Sequence, residues 1–332
     1  MSLRTKDFDY QLPQELIASH PAEDRAASRM LVLHRDGGRV EHRAFRDLPE
    51  FLRPDDLLVL NDTKVIPARV MSDDGKVELL CLDRLSPVEW RCLVRPGKRM
   101  KPGRTVLVGG TTGEVVKVFE NGDRLVRWES ALDLERHGHL ALPHYMGRED
   151  EAADRERYQT VFAREEGAIA APTAGLHFTP EILGGLEHAF LTLHVGVGTF
   201  RPVKAERPED HVMHSERFEL GAEAARRINA AGRVVAVGTT VTRVLEAIGQ
   251  SVAGAGSRIP DGEHKGETDI FIRPPFEFRA VDVLLTNFHL PMSTLLMLVS
   301  AFGGREAVLE AYRQAVEERY RFYSYGDCML VV

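Results

Sequence analysis

The sequence lacks the signatures of the commonest nucleotide-binding and hydrolase folds. It has no phosphate loop of the GxxxxGK[ST] type, no GxGxxG dinucleotide fingerprint and no GxSxG nucleophile elbow. Gly196-Val197-Gly198 comes nearest to a glycine fingerprint, but Pro202 follows too closely for a dinucleotide-binding helix to start there. Three cysteines, Cys81, Cys92 and Cys328, are odd in number and have no CxxC spacing, which excludes a disulfide scaffold and fits free thiols in a reducing compartment. No apolar run reaches the roughly 18 residues that a membrane span needs, and the longest, 295–302, is interrupted by Ser300. The first residues carry no apolar signal-peptide region, so a cytoplasmic protein without a membrane partner is expected. Positive charge is not in excess either. A formal net charge of −7 argues against a generic polyanion binder and leaves room for a local basic face.

At 332 residues the chain can bury a substantial core in one large or two modest domains. Its organising stretch is 282–304. A short apolar run, 283–285, reads as a buried strand and ends in the polar corner Thr286-Asn287-Phe288-His289. Pro291, Ser293 and Thr294 then open an apolar helix that Gly303-Gly304 stops. Two other stretches repeat the pattern: 191–200, an apolar alternation that ends in glycines and Thr199, and 234–240, a β-branched run that ends in Gly238-Thr239-Thr240 and leads into a helical pattern. Glycine at a strand end lets a ligand approach the backbone, and a following helix N-terminus favours anions. Three such corners imply a composite pocket at the carboxyl ends of strands. Asn61-Asp62-Thr63-Lys64, after the apolar run 57–60, is either a fourth contributor or an ordinary turn.

Between about Arg69 and Glu129 the texture changes to closely spaced short strands, 76–82, 90–94, 105–108, 114–119 and 124–128. Pro96-Gly97, Pro102-Gly103 and Asn121-Gly122 separate them, as turns separate the strands of a small barrel or sandwich. Helical patterns lie on both sides. The expected architecture is therefore an α/β host of mixed sheet and flanking helices, 1–68 and 153–332, with an inserted β-barrel domain at 69–152. Short helices are expected around Pro13 and over 149–157, an amphipathic helix over 305–320 and, in the tail 321–332, a last strand preceded by a polar, aromatic turn. The Gly- and Ser-rich segment 251–266 is read as a connection or a lid.

Imidazoles gather in the second half: His177, His194, His211, His214 and His289. His211 and His214 with Glu216 hint at a metal, but the spacing is unlike that of structural zinc and no further ligand is signposted; no metal is expected. His214 with Glu216 reads better as an orienting pair for proton transfer. Each histidine has a plain alternative as a hydrogen-bonded structural residue. In the insertion, Arg91, Arg95, Lys98, Arg99, Lys101 and Arg104 are interleaved with Pro-Gly turns beside Trp90, which suits phosphate contacts or solvated hairpin loops.

Taken together, the motifs Asn-Asp-Thr-Lys-Val-Ile-Pro-Ala-Arg69, Leu-Val-Arg-Pro-Gly-Lys-Arg99, Ala-Ala-Pro-Thr-Ala-Gly-Leu-His-Phe178, Leu-His-Val-Gly-Val-Gly-Thr-Phe-Arg-Pro-Val203, Met-His-Ser-Glu216, Ala-Val-Gly-Thr-Thr240, Thr-Asp-Ile-Phe-Ile272, Leu-Leu-Thr-Asn-Phe-His-Leu-Pro291 and Tyr-Gly-Asp327 closely resemble the S-adenosylmethionine:tRNA ribosyltransferase-isomerase family of the queuosine pathway. The resemblance runs in order along essentially the whole chain and implies an α/β domain with an inserted β-barrel. It further implies that S-adenosylmethionine serves as ribosyl donor and 7-aminomethyl-7-deazaguanine, at the wobble position of tRNAs for Asp, Asn, His and Tyr, as acceptor. The implied products are epoxyqueuosine-tRNA, adenine and methionine, with no cofactor. On that basis His177, His194, His214 and His289, with Glu216, are the candidates for proton transfer. Thr239, Thr240, Thr286 and Asn287, with Asn61, Asp62, Thr173, Gly196, Gly198 and Thr199, are the candidates for holding the donor. The six basic residues of the insertion are the candidates for RNA, and a monomer is expected. Two alternatives stay open: an S-adenosylmethionine-dependent RNA methyltransferase of atypical fold, and a non-catalytic RNA-binding accessory protein.

Overall fold

The computed structural model describes residues 3–196, 203, 205–252 and 257–332. A nine-stranded mixed sheet forms its larger part, in the order His264–Thr268, Glu216–Leu220, His188–Leu193, Asp56–Asn61, Arg233–Val237, Val283–Asn287, Cys328–Val331, Arg29–Leu33, Val40–Ala44. The four strands from His188–Leu193 to Val283–Asn287 are mutually parallel, so their carboxyl ends lie on one edge. Asp56–Asn61 and Val283–Asn287 are buried along their whole length. Successive residues feed opposite faces: Leu57, Val59, Val234, Ala236 and Leu284 enter one core, and Leu58, Leu60, Val235, Val237, Val283 and Leu285 the other. Strands covered on both faces need a continuous apolar run, which is why these read so clearly in the sequence.

The chain passes from Asp56–Asn61 to a neighbour on one side, His188–Leu193, and then to one on the other, Arg233–Val237. Such a reversal opens a crevice between the strand ends. Helix Thr239–Gly249 leaves that edge directly after Arg233–Val237, and helix Thr294–Gly303 leaves it after Val283–Asn287. The latter is apolar nearly all round because it is buried in the core shared with helices Thr239–Gly249 and Arg305–Glu317.

A second, seven-stranded sheet is antiparallel throughout, in the order Gly138–His139, Arg69–Met71, Glu78–Ser86, Glu89–Arg95, Arg124–Trp128, Thr111–Val118, Thr105–Val108. Its own core includes Leu79, Cys81, Trp90, Cys92, Val106, Val115, Val126 and Trp128. The end strands Thr105–Val108 and Gly138–His139 do not pair with each other among the described residues, and the sheet is a half-barrel.

Three local expectations change. Around Pro13 the chain forms only the short 3₁₀ turns Thr5–Phe8 and Gln14–Leu16, since Leu12, preceding a proline, is pushed to extended backbone. Helix over 149–157 shrinks to Asp154–Arg157, because the Asp154 carboxylate caps the Glu151 N–H at 2.8 Å and binds Arg148. Segment 251–266 is no lid in its described part. Arg258 bonds the Gly232 carbonyl (2.9 Å) and Asp282 (2.7 Å), at the amino ends of the parallel strands and opposite the crevice, and His264 already belongs to an edge strand. Among the described residues no helix is long and apolar enough to cross a membrane.

Candidate active site

An open cleft of about 670 Å³, open solvent included, lies at the carboxyl edge of the parallel strands. Thr286, Asn287 and His289 form one wall, Gly238, Thr239 and Thr240 a second, and Thr173 and Val195 a third; Tyr145, Tyr323 and Ser324 close the side. Among the described residues no aspartate, glutamate, lysine or arginine lines it. Whatever binds here meets hydroxyls, amides, imidazole, peptide groups and aromatic rings.

The first wall is rigid. Thr286 Oγ1 and His289 Nε2 are 2.7 Å apart, the His289 N–H donates to the Tyr312 hydroxyl (3.1 Å), and Tyr10 O–H donates to the His289 carbonyl (2.5 Å). Ser293 Oγ accepts the Leu296 N–H at 3.2 Å and so caps the following helix. Asn287 Nδ2 donates to the carbonyls of Tyr323 (3.0 Å) and Asp327 (3.4 Å) and lies 3.3 Å from His177 Nε2. These acceptors fix the amide orientation, and Asn287 Oδ1 is left buried without a donor. Burial pulls the imidazole of His289 down to about 3 and that of His177 to about 4, so both are neutral at pH 7.

The second wall turns at Gly238, whose φ of 98° suits glycine and would strain a side chain. Helix Thr239–Gly249 begins there without a side-chain cap, and Thr240 Oγ1 is buried with no partner. Along this helix Arg243 is buried and forms an ion pair with the equally buried Glu216. The other Glu216 oxygen accepts the Gly196 N–H at 3.1 Å. One carboxylate thus ties the helix to the corner that follows Leu193. Buried charges persist only when paired in this way.

The structure brings together Thr173, Thr239, Thr240, Thr286, Asn287 and His289 on the cleft itself. His177 stands one layer behind, bonded to Asn287 and facing a smaller recess lined by Arg25 and Arg157. His194 lies beside Val195 with its Nδ1 2.8 Å from Thr63 Oγ1, and desolvation lowers its pKa. Asn61 staples strands instead, exchanging bonds with Leu193 N (3.0 Å) and Leu193 O (2.9 Å). Asp62 accepts from Thr192 Oγ1 (2.7 Å) and pairs with Arg164 (2.6 Å). The expected His214–Glu216 pair does not form, because Arg243 takes the carboxylate and His214 is exposed. Gly198 and Thr199 lie outside the described residues. Among the described residues no group of three His, Cys, Asp or Glu side chains is placed to hold a metal.

Sequence reasoning missed Tyr145, Tyr323, Ser324 and Arg243. Tyr323 and Ser324 lie in the polar, aromatic turn before the last strand, whose composition is the signal that could have found them; Tyr145 and Arg243 carried no local signal. Tyr145, from the segment read as the insertion, bonds Ser324 through their hydroxyls and enters the cleft wall.

On the half-barrel, Arg95, Lys98, Arg99, Lys101 and Arg104 are exposed and form no ion pair among the described residues. Arg91 differs from them: Asp123 (2.7 Å) and Asp83 (3.8 Å) neutralise it.

Parallel strands whose order reverses around a cleft with no charged side chain among its described lining, with a patch of unpaired cations on the half-barrel, define an α/β enzyme class with a small polar ligand and a separate polyanion-compatible surface. The chain belongs to the queuosine biosynthesis protein family, whose model matches residues 5–331. It is 51% identical over 352 residues to the S-adenosylmethionine:tRNA ribosyltransferase-isomerase of Moorella thermoacetica and 49% identical over 362 residues to that of Solibacter usitatus, covering 99% of this chain and 100% of each relative. The crystal structure of an S-adenosylmethionine tRNA ribosyltransferase from Thermotoga maritima is similar at 39% identity and a TM-score of 0.56, covering 98% of this chain and 100% of that one.

Proposed function

We propose that this protein is an S-adenosylmethionine:tRNA ribosyltransferase-isomerase of queuosine biosynthesis. The observation that carries the reading is end-to-end similarity, 51% identity across 99% of the chain, to relatives that bear that name. The finer reaction is the one the sequence motifs imply. The ribosyl group of S-adenosylmethionine passes to 7-aminomethyl-7-deazaguanine at the wobble position of tRNAs for Asp, Asn, His and Tyr, and adenine and methionine leave.

The cleft suits that chemistry. The sulfonium acidifies the neighbouring ribose carbon, so a neutral imidazole can remove a proton and start elimination of adenine. His289 lines the cleft and is held in place by Thr286, and this position makes it the favoured base. His177 and His194 act from one layer behind, through Asn287 and the Val195 corner. The aminomethyl group of the RNA base then attacks, and methionine departs as the epoxide closes. This sequence asks for proton carriers and dipoles rather than a protein nucleophile. Thr173, Thr239, Thr240, Thr286 and Asn287 hold the donor. Segment 69–152 acts as an RNA-binding domain whose free cations, Arg95, Lys98, Arg99, Lys101 and Arg104, meet phosphates while the unpaired anticodon base is splayed into the cleft. The protein works as a cytoplasmic monomer without a cofactor; the three free, buried thiols support a reducing compartment.

The test incubates the protein with S-adenosylmethionine and tRNA bearing the deazaguanine, and follows adenine release and nucleoside mass. Adenine and methionine with an epoxide-bearing nucleoside are expected. S-adenosylhomocysteine would instead establish a methyltransferase, and no donor consumption a binding protein. Alanine at His177, His194, His214 and His289 in turn then separates the proton carriers.

A further inference from the structure

Resting on that reading, we infer that the amino end of helix Thr239–Gly249 is the anchor for the α-carboxylate of the S-adenosylmethionine donor, with the Thr240 hydroxyl as its side-chain ligand. Four observations point there. Among the described residues the cleft lining has no cationic side chain, so a carboxylate beside Thr240 meets no described lysine or arginine there. Of the two helices that leave the cleft, Thr294–Gly303 already has its first turn capped by Ser293, whereas Thr239–Gly249 starts at Gly238 with no side-chain cap. Its first-turn N–H groups and dipole are therefore available to an anion. Thr240 lines the cleft, is only 8% exposed, and its Oγ1 has no partner, which is costly unless a ligand supplies one. Finally, Gly238, at a φ of 98°, brings no side chain to the turn, so the space beside the Thr240 hydroxyl that a Cβ would occupy, 3.6 Å from Oγ1, is left unfilled.

The consequence is directional. Fixing the carboxylate on the Arg233–Val237 side of the crevice extends the methionine arm across it and presents the sulfonium and ribose to the Val283–Asn287 side, where His289 stands. The anchor therefore sets which part of the donor meets the imidazole.

The experiment compares S-adenosylmethionine with decarboxylated S-adenosylmethionine on the wild-type protein, Thr240→Val and Thr240→Ser, with tRNA saturating and adenine release as readout. On wild type, removing the carboxylate should lower kcat/KM about 10- to 100-fold, the loss expected of charge-assisted hydrogen bonds. Thr240→Val should lose a comparable factor on the intact donor, mainly in KM, and lose little more on the decarboxylated one. Thr240→Ser should restore most of the activity. Independent, multiplicative losses from the two changes, or equal use of both donors by wild type, would overturn the anchor while adenine release by wild type upholds the enzyme reading. If wild type releases no adenine from the intact donor, the enzyme reading itself falls, and the anchor falls with it.

Discussion

The cleft and the outer face of the half-barrel are opposites in how they carry charge. Among the described residues the cleft has no charged side chain on its lining, and its polar groups are hydroxyls, amides and a neutral imidazole held by neighbours. The half-barrel presents Arg95, Lys98, Arg99, Lys101 and Arg104 to solvent without carboxylate partners, on a chain whose formal net charge is −7. The difference teaches that two recognition problems are solved by different physics. A small donor bearing both charge signs is oriented by fixed dipoles in a low-dielectric crevice, where placement decides the energy. A large polyanion is drawn by mobile, solvated cations that need no exact placement and respond to salt.

That contrast can be broken from either side. The largest effect should come from His289→Ala, which is expected to lower the rate of adenine release about 10²–10⁴-fold with tRNA binding unchanged, as read by single-turnover kinetics and filter binding. Next, Arg243→Met should destabilise the fold by about 3–5 kcal/mol in urea unfolding, since it strands the Glu216 carboxylate in the interior. Arg243→Met with Glu216→Leu should recover most of that loss; a single variant as stable as wild type would show the ion pair to be dispensable. On the other side, Lys98→Glu/Arg99→Glu/Lys101→Glu should weaken tRNA binding roughly 10- to 100-fold and reduce the salt slope by about 2–3, with KM for the donor unmoved. An unaltered salt slope would remove these residues from the RNA face.

The smallest effect is on pH dependence of stability. His177 and His289 are held neutral by burial, at about 4 and about 3 against an ordinary value of 6.5. The unfolded chain binds protons that the folded one refuses, so their contribution is complete above about pH 6.5 and is lost as pH falls toward 4. Each should add at most about 1.4 kcal/mol per pH unit to the slope in that window. In His289→Gln the slope should be shallower by one proton, measured by urea unfolding at pH 5.0, 6.0 and 7.0. Equal slopes in the two proteins would mean that His289 is solvated.

The strand-end corners were legible because each is local. A buried parallel strand must be apolar throughout, so the abrupt change to Gly238-Thr239-Thr240 or Thr286-Asn287 marks its end within a residue or two. The half-barrel strands were legible for the same reason, with Asn121-Gly122 supplying the turn between Thr111–Val118 and Arg124–Trp128. His214 and Glu216 misled because nearness in sequence suggested a pair. Along the strand that begins at Glu216 successive side chains alternate between faces, and the inward carboxylate met a guanidinium from a helix 27 residues away. Asn61 and Asp62 have the composition of a ligand site, yet they spend their bonds on neighbouring strands. Short-range pattern does not tell a polar group that faces a crevice from one that faces a seam.

The amino-acid order alone determined the α/β class, the antiparallel strands of the middle segment and the short polar corners that end the central strands, because burial on two faces and turn chemistry are written in consecutive residues. Only the tertiary structure decided that three of those corners share one cleft while Asn61 is set aside, that Tyr145 reaches the cleft from the antiparallel segment, and that Arg243 claims Glu216. Those outcomes depend on strand order and on which face of each element turns inward. They are settled when distant segments compete for the same buried partners, and no local stretch of sequence records the winner.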